Sequence, residues 1–470
     1  MLVALAAAPS ALAHTVFTNF FIDGVSQGDG VAIRMNTNLV EASNPIASLE
    51  SNDLACNVGG SKGVSRVAPI QDGSTLTFEI RAWPDDASKE RLDRGHKGPC
   101  AVYLKKVDSA INDQGTCHGD GWFKIFDHGY DKDADAWCTD KIIDNDGKLS
   151  VVLPKGLESG YYLARPEILA LHKALENDPQ FYTGCAQLFL EGGGNLGPAE
   201  TVSIPGYVKY GQESTNWNIY YGTKPEDYPL PGPQIAKLVS KSASANAGET
   251  SQTEGLKPAG CIVENANWCG KEVPDYSDEK GCWASTENCW DQADVCFKSA
   301  GPTGHKGCTT MQEKCQAQSD LCKSGDFNGP KNKGKVLTPK PAAVDVGELL
   351  ATEGGGAPVV DTPKTEATQP KPTSAAAPAK TSAFETVAAP SKTPVADVEK
   401  PVPEAEYPTV TSKPTVKVPA SEAGPAPTAP VCPEGYKCVT VYETVVKTEV
   451  VYSTVYNDYR RRSVQNRRRV

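Results

Sequence analysis

Short stretches in which apolar and polar residues alternate make up much of residues 14 to about 233, and turn-rich sequence separates them. Residues 74–80 (STLTFEI) are the clearest case, and residues 31–35 and 149–153 follow the same pattern. A period of two places successive side chains on opposite faces of a strand, so each stretch is predicted to be β. Many short strands without helices between them predict an all-β domain, an immunoglobulin- or fibronectin-like antiparallel β-sandwich with long loops.

One stretch departs from this pattern. Residues 166–176 (PEILALHKALE) have apolar positions at helical spacing, and their number predicts one or two helical turns. The domain is expected to end at residues 228–233 (YPLPGP), because the three prolines there prevent further sheet pairing.

The composition changes beyond residue 233. Residues 234–260 are rich in Ser, Ala, Gly and Lys and are predicted to be a linker. Residues 261–322 contain eight cysteines, which predict a small disulfide-rich module. The spacing C-x6-C-x6-C occurs twice there and suits successive helix turns, so two short cross-linked helices are expected. Zinc is a poor alternative, because the module has no C-x2-C pair.

The C-terminal part of the chain has little apolar sequence. Residues 323–430 are rich in Pro, Ala, Thr and Lys and contain few aromatic residues, so they are predicted to be a disordered linker. In the C-terminal segment 431–470, Cys432 and Cys438 are expected to pair with each other. Residues 439–455 alternate like an exposed strand, and a basic tail follows them.

Charge and cysteine content limit the partners and the compartment. The net charge of −11 over 470 residues argues against nucleic acid, because phosphate binding needs a basic surface. No apolar run reaches the ~18 residues of a membrane span, so no membrane partner is expected. The 15 cysteines and an apolar opening, residues 1–13, predict a signal peptide and a secreted, extracellular protein. We expect a monomer.

Five residues are candidates for a reactive site. A cut after Ala13 would make His14 the first residue, and its α-amine and imidazole would then form a chelate that no internal histidine can make. His96 lies in a loop bounded by Gly and Pro (GHKGPC) and is a second candidate ligand. Gln180 and Tyr182 are expected on the same face of one strand, and His172 lies upstream of them.

These candidates fall within a series of motifs that keeps its order along the chain. The motifs are GHKGPCAVYLKKV (95–107), GDGWFKI (119–125), RPEILALH (165–172), QFYTGCAQLFL (180–190) and YPLPGP (228–233). Together with His14, they resemble the fungal lytic polysaccharide monooxygenases of auxiliary-activity family nine, once classed with the glycoside hydrolases. The resemblance covers residues 14–233. The Cys-rich module resembles an accessory module that is sometimes appended to these enzymes.

The resemblance implies a site for one copper ion, a histidine brace. His14 would bind copper through its α-amine and Nδ1, His96 would bind through Nε2, and Tyr182 would occupy the axial position. His172 and Gln180 would lie beside the metal and hydrogen-bond a bound oxygen species. The resemblance also implies methylation of the His14 imidazole on its outer nitrogen.

The implied reaction is oxidative cleavage of the glycosidic bond in insoluble cellulose or a related β-glucan. Hydroxylation of a carbon next to the bond would use O2 or H2O2 and an external electron donor. A flat face with tyrosines that stack on sugar rings is expected around the metal. Tyr228 is the best match to the planar aromatic residue of the family, and Tyr221 is a second candidate.

Two disulfides are expected in the β domain. The resemblance implies a bond between Cys56 and Cys185, which would anchor the strand that carries Tyr182. We further expect Cys100 to pair with Cys138, so that Cys117 keeps its thiol.

Two other functions remain as alternatives. A glycoside hydrolase (an endoglucanase) needs two carboxylates on facing sides of a sugar site. The acidic residues at 127, 131, 133 and 135 instead crowd one loop and look solvated. A non-catalytic copper-binding cell-wall protein would use the same histidines, but an axial Tyr beside a Gln suits oxygen chemistry better than storage.

Overall fold

The structure is a computed structural model that describes residues 14–112, 115, 117–241 and 250–347. Several predictions concern residues outside these ranges and stay predictions. They are the signal peptide (1–13), most of the segment predicted to be disordered, the Cys432–Cys438 bond, the strand at 439–455 and the basic tail.

Strands dominate residues 14–241, and the two long helices follow them. The strands are β1 (Val16–Ile22), β2 (Val25–Ser26), β3 (Ile33–Arg34), β4 (Ala68–Gln71), β5 (Thr75–Arg81), β6 (Cys100–Val107), β7 (Gly119–His128), β8 (Tyr130–Asp131), β9 (Ala136–Trp137), β10 (Lys148–Val152), β11 (Gly160–Ala170), β12 (Gln180–Thr183), β13 (Cys185–Glu191), β14 (Leu196–Pro198), β15 (Val202–Ile204), β16 (Leu238–Ser240), β17 (Cys261–Asn265) and β18 (Trp268–Lys271). The helices are α1 (Asp53–Cys56), α2 (Cys138–Asp144), α3 (Glu279–Ser299) and α4 (Lys306–Ser324), with 3-10 turns at Ala174–Glu176, Glu213–Thr215 and Pro225–Asp227.

Two sheets form the sandwich that the alternating pattern predicts. The first has the strand order β10-β5-β1-β2. The second has the order β15-β7-β6-β11-β13-β3, with β12 beside β11 and β4 parallel to β13. Phe20 and Phe78 of the first sheet and Val102 and Leu104 of the second are buried in one shared core. Such a core is the main favourable term in folding, because a large apolar side chain contributes roughly 1.5–3 kcal/mol when it is buried.

The helical prediction for residues 166–176 is wrong for most of that stretch. Residues 160–170 form the strand β11, which is buried along its whole length, and only the 3-10 turn at 174–176 is helical. A strand buried on both faces has a nearly continuous apolar sequence, which periodicity does not distinguish from a helix.

Pro166 fits inside β11 because the neighbouring strand changes at this point. Strand β13 pairs with β11 as far as Ala164, and β12 takes over at Glu167. The carbonyl of Pro166 accepts a hydrogen bond from the Thr183 hydroxyl at 2.8 Å, on this interrupted side of the strand. The missing N–H of the proline therefore breaks no ladder bond.

Both disulfides expected in the sandwich are present. The Cys56–Cys185 bond ties α1 to the first residue of β13, and the Cys100–Cys138 bond ties the start of β6 to the start of α2. Cys117 takes part in neither bond and is buried.

The Cys-rich module consists of a hairpin and two antiparallel helices. The hairpin β17–β18 carries the Cys261–Cys269 disulfide. The two helices predicted from the cysteine spacing are present as α3 and α4. Three disulfides cross-link them, Cys282–Cys322, Cys289–Cys315 and Cys296–Cys308. The indole rings of Trp268 and Trp290 pack against the small core of the module, so both serve at least partly as core residues.

The module contacts the sandwich directly. In the turn of the β17–β18 hairpin, the Asn267 side chain accepts a hydrogen bond from the Ala32 N–H at 2.9 Å and donates one to the Gly30 carbonyl at 3.1 Å. Arg66 of the sandwich pairs with Glu264 of the module at 2.7 Å. Part of the segment expected to be a linker is also structured, because β16 pairs with β14.

The chain that follows the module returns to the first sheet. The Val344 N–H donates to the Gly24 carbonyl beside β2 at 2.9 Å, and the Ser150 hydroxyl of β10 donates to the Val346 carbonyl at 3.1 Å. Strands β2 and β10 are the two edges of this sheet, so residues 344–346 lie across its outer face. Thr77 and Glu79 of β5 are buried by neighbours within the sandwich, because the Thr77 hydroxyl lies 2.8 Å from that of Ser150 and Glu79 pairs with Arg81 at 2.9 Å.

Among the described residues, no helix combines the length and the apolarity that a membrane span requires.

The Asn267→Ala variant tests how firmly the module is attached. It removes both bonds to the sandwich and leaves the buried Ala32 N–H without its acceptor. We expect the free energy of unfolding to fall by about 1–3 kcal/mol, the cost of an unsatisfied buried donor. Urea denaturation measures this change. Asn288→Ala, an exposed asparagine on α3, is the control. Equal stabilities for the two variants would contradict the prediction.

Candidate metal centre

His14 lies two residues before β1, at one end of the sandwich. Its side chain is partly buried. The Thr15 hydroxyl donates to the Arg91 carbonyl at 2.7 Å, and Val16 pairs with Arg81 of β5. These contacts fix the backbone next to His14, so its imidazole belongs to the folded domain and not to a free tail.

A tight loop brings His96 to the same place. The Gly98 N–H donates to the Thr139 hydroxyl at 3.1 Å, and Leu171, just after β11, donates to the backbone of Lys97 at 2.9 Å. The loop lies so close to β11 that a Cβ atom on Gly98 would be 1.8 Å from the Leu169 carbonyl oxygen. Only glycine fits there without moving the backbone.

The His96 imidazole is buried and neutral. Its side chain is 4% exposed, and neither ring nitrogen has a hydrogen-bond partner in the described part of the chain. Burial and then the nearby His172 lower the pKa of His96 to about 4. The Asp93 carboxylate, 3.7 Å from Nδ1, opposes this shift only partly. At neutral pH the ring therefore keeps a nitrogen lone pair for a ligand.

His172 packs against His96, with the ring centroids 4.2 Å apart. Burial is also the main cause that lowers the pKa of His172. Its Nδ1 is buried and has no hydrogen-bond partner in the described residues. The Tyr220 hydroxyl donates to the His172 carbonyl at 2.9 Å. This bond attaches the C-terminal loop of the sandwich to the corner formed by His14, His96, His172 and Tyr182.

Tyr182 completes a triangle of rings. Its centroid is 6.1 Å from that of His14 and 6.0 Å from that of His96, and the two histidine centroids are 6.1 Å apart. The Tyr182 hydroxyl donates to Gln180 Oε1 at 2.9 Å, which confirms that these side chains share one face of β12. Burial raises the pKa of Tyr182, so the phenol stays protonated.

This donor set suits copper better than a metal that needs carboxylates or thiolates. The described residues contain no group of three or more His, Cys, Asp or Glu side chains that could hold a metal ion. Two imidazoles, together with the terminal amine that a cut after Ala13 would create, would be the nitrogen donors that copper favours in tetragonal sites. The buried, unpartnered nitrogens of His96 are the direct sign that this corner fits a ligand.

Comparison with known proteins decides the family. The profile of Auxiliary Activity family 9 (formerly GH61) matches residues 14–228. The AA9 family lytic polysaccharide monooxygenase C of Aspergillus tamarii is 52% identical over 342 residues, which are 71% of this chain and 91% of the relative. The chain belongs to Auxiliary Activity family 9.

One further relative and one solved structure are also similar to this chain. The AA9 family lytic polysaccharide monooxygenase H of Botryotinia fuckeliana is 44% identical over 370 residues, 74% of this chain and 84% of that protein. The solved structure of CvAA9A aligns with 47% of this chain and 97% of its own at 32% identity, with a TM-score of 0.43.

Membership of AA9 makes the chain a lytic polysaccharide monooxygenase. Enzymes of this family depend on copper and cleave polysaccharides oxidatively. The alignment with the A. tamarii relative is longer than the family match at residues 14–228, so the similarity extends beyond the sandwich.

The prediction that Tyr228 of this AA9 enzyme lies on an open face is wrong. Its side chain is 8% exposed, and its hydroxyl donates to the Ser214 carbonyl at 2.8 Å. The ring packs edge-on against Trp137 and Trp217, with centroids 5.2 and 5.5 Å away. Trp137 comes from a distant segment and Trp217 from the same loop as Tyr228, and the motif YPLPGP contains neither, so it did not reveal that they enclose this tyrosine. Tyr221, in contrast, is 73% exposed.

Two carboxylates of the acidic loop pair with lysines. Asp127 is buried against Lys124 at 2.9 Å, so the expectation that it is solvated is wrong. Asp131 pairs with Lys141, and this bond lowers the pKa of Asp131 to about 2. A general acid of a glycosidase needs a raised pKa, so neither the pairing nor the charge of Asp131 favours hydrolysis.

The sequence reasoning missed one residue that joins this corner. Asp178 accepts a hydrogen bond from Gln180 Nε2 at 3.1 Å. The spacing in the sequence could have indicated this contact. Asp178 stands two residues before Gln180, and in an extended segment the side chains at i and i+2 share one face.

The Gly98→Ala variant tests how His96 is positioned. The added Cβ would overlap the Leu169 carbonyl and push the loop away from β11. We expect a stability loss of about 1–3 kcal/mol or more, as for other overpacked sites, and weaker copper binding in calorimetry. Gly301→Ala is the control, because a Cβ added there meets nothing within 4 Å. If both variants bound copper like the parent, the loop contact would not position His96.

Proposed function

We propose that the mature chain begins at His14 and holds one copper ion. The α-amine and Nδ1 of His14 and Nε2 of His96 would hold the ion, and the Tyr182 hydroxyl would lie close to it. The observation that supports this most is the convergence of the three rings at centroid distances of 6.0 to 6.1 Å. The unpartnered nitrogens of His96 add to it, since a buried polar atom without a partner is costly unless a ligand satisfies it.

We infer that the substrate is cellulose or a related β-glucan. The chemistry that bound copper supplies is activation of O2 or H2O2 with electrons from an external donor, which leads to hydroxylation of a sugar carbon beside the glycosidic bond. The protein supplies the position of the ligands, the protonation states around them and a surface for the polysaccharide.

His172 and Gln180 share one task in this proposal, and Gln180 has a second task. The amide of Gln180 is engaged on both sides, by the Tyr182 hydroxyl and by Asp178. It therefore fixes the phenol, and the second N–H of its NH2 group stays available to hydrogen-bond the oxygen co-substrate. His172 keeps a buried Nδ1 without a partner in the described residues, so it is a second candidate for the same hydrogen bond.

The substrate surface is proposed to include Tyr221 and Tyr220. They are 73% and 64% exposed, and the Tyr220 hydroxyl is bonded to the backbone of His172. Exposed aromatic rings held next to the ligand corner suit stacking on a flat sugar surface. Buried Tyr228 supports this loop from below through its contacts with Trp137 and Trp217.

We also infer secretion and processing. The disulfides of the described chain require an oxidising compartment, which agrees with a signal peptide at residues 1–13. Removal of that peptide frees the α-amine of His14. Methylation of its imidazole on the outer nitrogen is expected by analogy with the family.

Mass spectrometry of the products tests the reaction. The processed, copper-loaded protein is incubated with cellulose and other β-glucans, with and without ascorbate. We expect aldonic acids or gem-diols only with the reductant, and none from His96→Ala. His305→Ala, an exposed histidine of the module, is the matched control and should keep full activity. Native reducing ends formed without reductant would indicate a hydrolase. Tight copper binding without oxidised products would indicate a non-catalytic copper protein.

One extra residue ahead of His14 tests the amine ligand. An Ala retained before His14 places the α-amine outside chelate range and leaves an amide in its position. We expect copper affinity in calorimetry to fall at least ~100-fold, the upper end of the loss seen when even an outer partner of a metal is removed. The thermal midpoint of the metal-free protein should not change. Equal affinities for the two forms would refute the brace.

A further inference from the structure

Three side chains form one line of hydrogen bonds that ends at the proposed copper site. The Tyr182 hydroxyl donates to Gln180 Oε1 at 2.9 Å, and Gln180 Nε2 donates to Asp178 Oδ2 at 3.1 Å. Gln180 and Tyr182 are buried, whereas Asp178 lies at the surface. The line therefore connects a solvent-facing carboxylate to the phenol between the two histidines.

The backbone accounts for this line. Residues 178, 180 and 182 are two apart, so in extended chain their side chains point the same way. Pro179 restricts Asp178 to extended conformations, and the Asp178 N–H is held by the Lys173 carbonyl at 3.2 Å. Gln180 and Tyr182 pair with Ala170 and Ile168 of β11, so the inner end of the line is rigid.

The chemical character of Asp178 gives the line a direction. An amide can present either its oxygen or its NH2 group to a neighbour, but an ionised carboxylate only accepts hydrogen bonds. Asp178 therefore draws the NH2 group of Gln180 to itself and leaves Oε1 for Tyr182. The phenol must then donate its hydrogen to Gln180 Oε1. The lone pairs of the phenol oxygen stay free to face the copper site.

We propose that Asp178 is a positioning residue that sets the orientation of the Gln180 amide and, through it, the direction of the Tyr182 hydroxyl at the copper site. This inference rests on the proposed function. With the opposite amide orientation, Gln180 would donate to the phenol oxygen, and the O–H of Tyr182 would turn away from Gln180. The hydroxyl hydrogen of Tyr182 would then face the copper site in place of a lone pair of its oxygen.

The Asp178→Asn variant separates orientation from shape. Asparagine has the size of aspartate but can donate as well as accept, so it permits both orientations of Gln180. Glu176→Gln is the matched control. Glu176 is an exposed carboxylate on the same turn, and its substitution removes the same charge without touching the line.

Electron paramagnetic resonance of the Cu(II)-loaded full chain is the main readout, with product formation measured alongside. We expect a shifted or second Cu(II) signal in Asp178→Asn and a loss of turnover of about 10-fold, the lower end of the effect of outer partners at metal sites. Glu176→Gln should match the parent in both measurements.

Each result decides the matter. A Cu(II) signal that changes in Asp178→Asn but not in Glu176→Gln supports the proposal. If the Cu(II) signal and the turnover of Asp178→Asn equal those of Glu176→Gln, this inference is overturned. The proposed copper site is not contradicted by that result. Failure of the parent chain to bind copper or to oxidise any β-glucan overturns the proposed function, and this inference with it.

Discussion

The pairing of strand β11 with its neighbours is the interaction on which the candidate site depends. One edge of β11 pairs with β6, which begins four residues after His96, and the other edge pairs with β12, which carries Gln180 and Tyr182. His172 follows two residues after β11 ends. Four of the five candidate site residues thus take their positions from one buried strand. The close approach of Gly98 to this strand brings His96 into reach of the others.

A buried ion pair holds the segment of β11 that faces α1. The Arg165 guanidinium pairs with Glu167 at 2.5 Å and donates to the carbonyls of Leu54 and Ala55 at 2.8 and 3.0 Å. Removing one partner of such a buried pair typically costs about 3–5 kcal/mol, because the other charge is left without compensation. This cluster fastens α1 to β11, and the Cys56–Cys185 disulfide ties α1 to β13 as well. The scaffold around the site is therefore held by hydrogen bonds, charge and covalent links together.

The Cys-rich module and the segment after it are part of the same folded unit. Asn267 bonds to the backbone beside β3, and residues 344–346 lie across the outer face of the first sheet. That sheet contains β1, the strand that positions His14. An accessory domain on a flexible tether would have no influence on the site, whereas a module packed in this way stabilises the strand next to the proposed copper ligand.

The sequence by itself determined the sandwich and the cross-linked helices, because period-two alternation and cysteine spacing are local properties. The residues expected to meet at the site followed from the resemblance of a series of motifs to a known family. Gln180 and Tyr182 shared a face as the spacing required, and Asp178 follows from the same rule. The tertiary structure alone decided three other matters. Residues 166–170 are a strand because neighbouring strands pair with them and both faces are buried, and apolar spacing does not distinguish such a strand from a helix. Tyr228 is buried because Trp137, from a distant segment, and Trp217, from its own loop, enclose it. Residues 344–346 bond to the chain beside β2 and to β10, and no local pattern contains a contact between segments so far apart in the sequence.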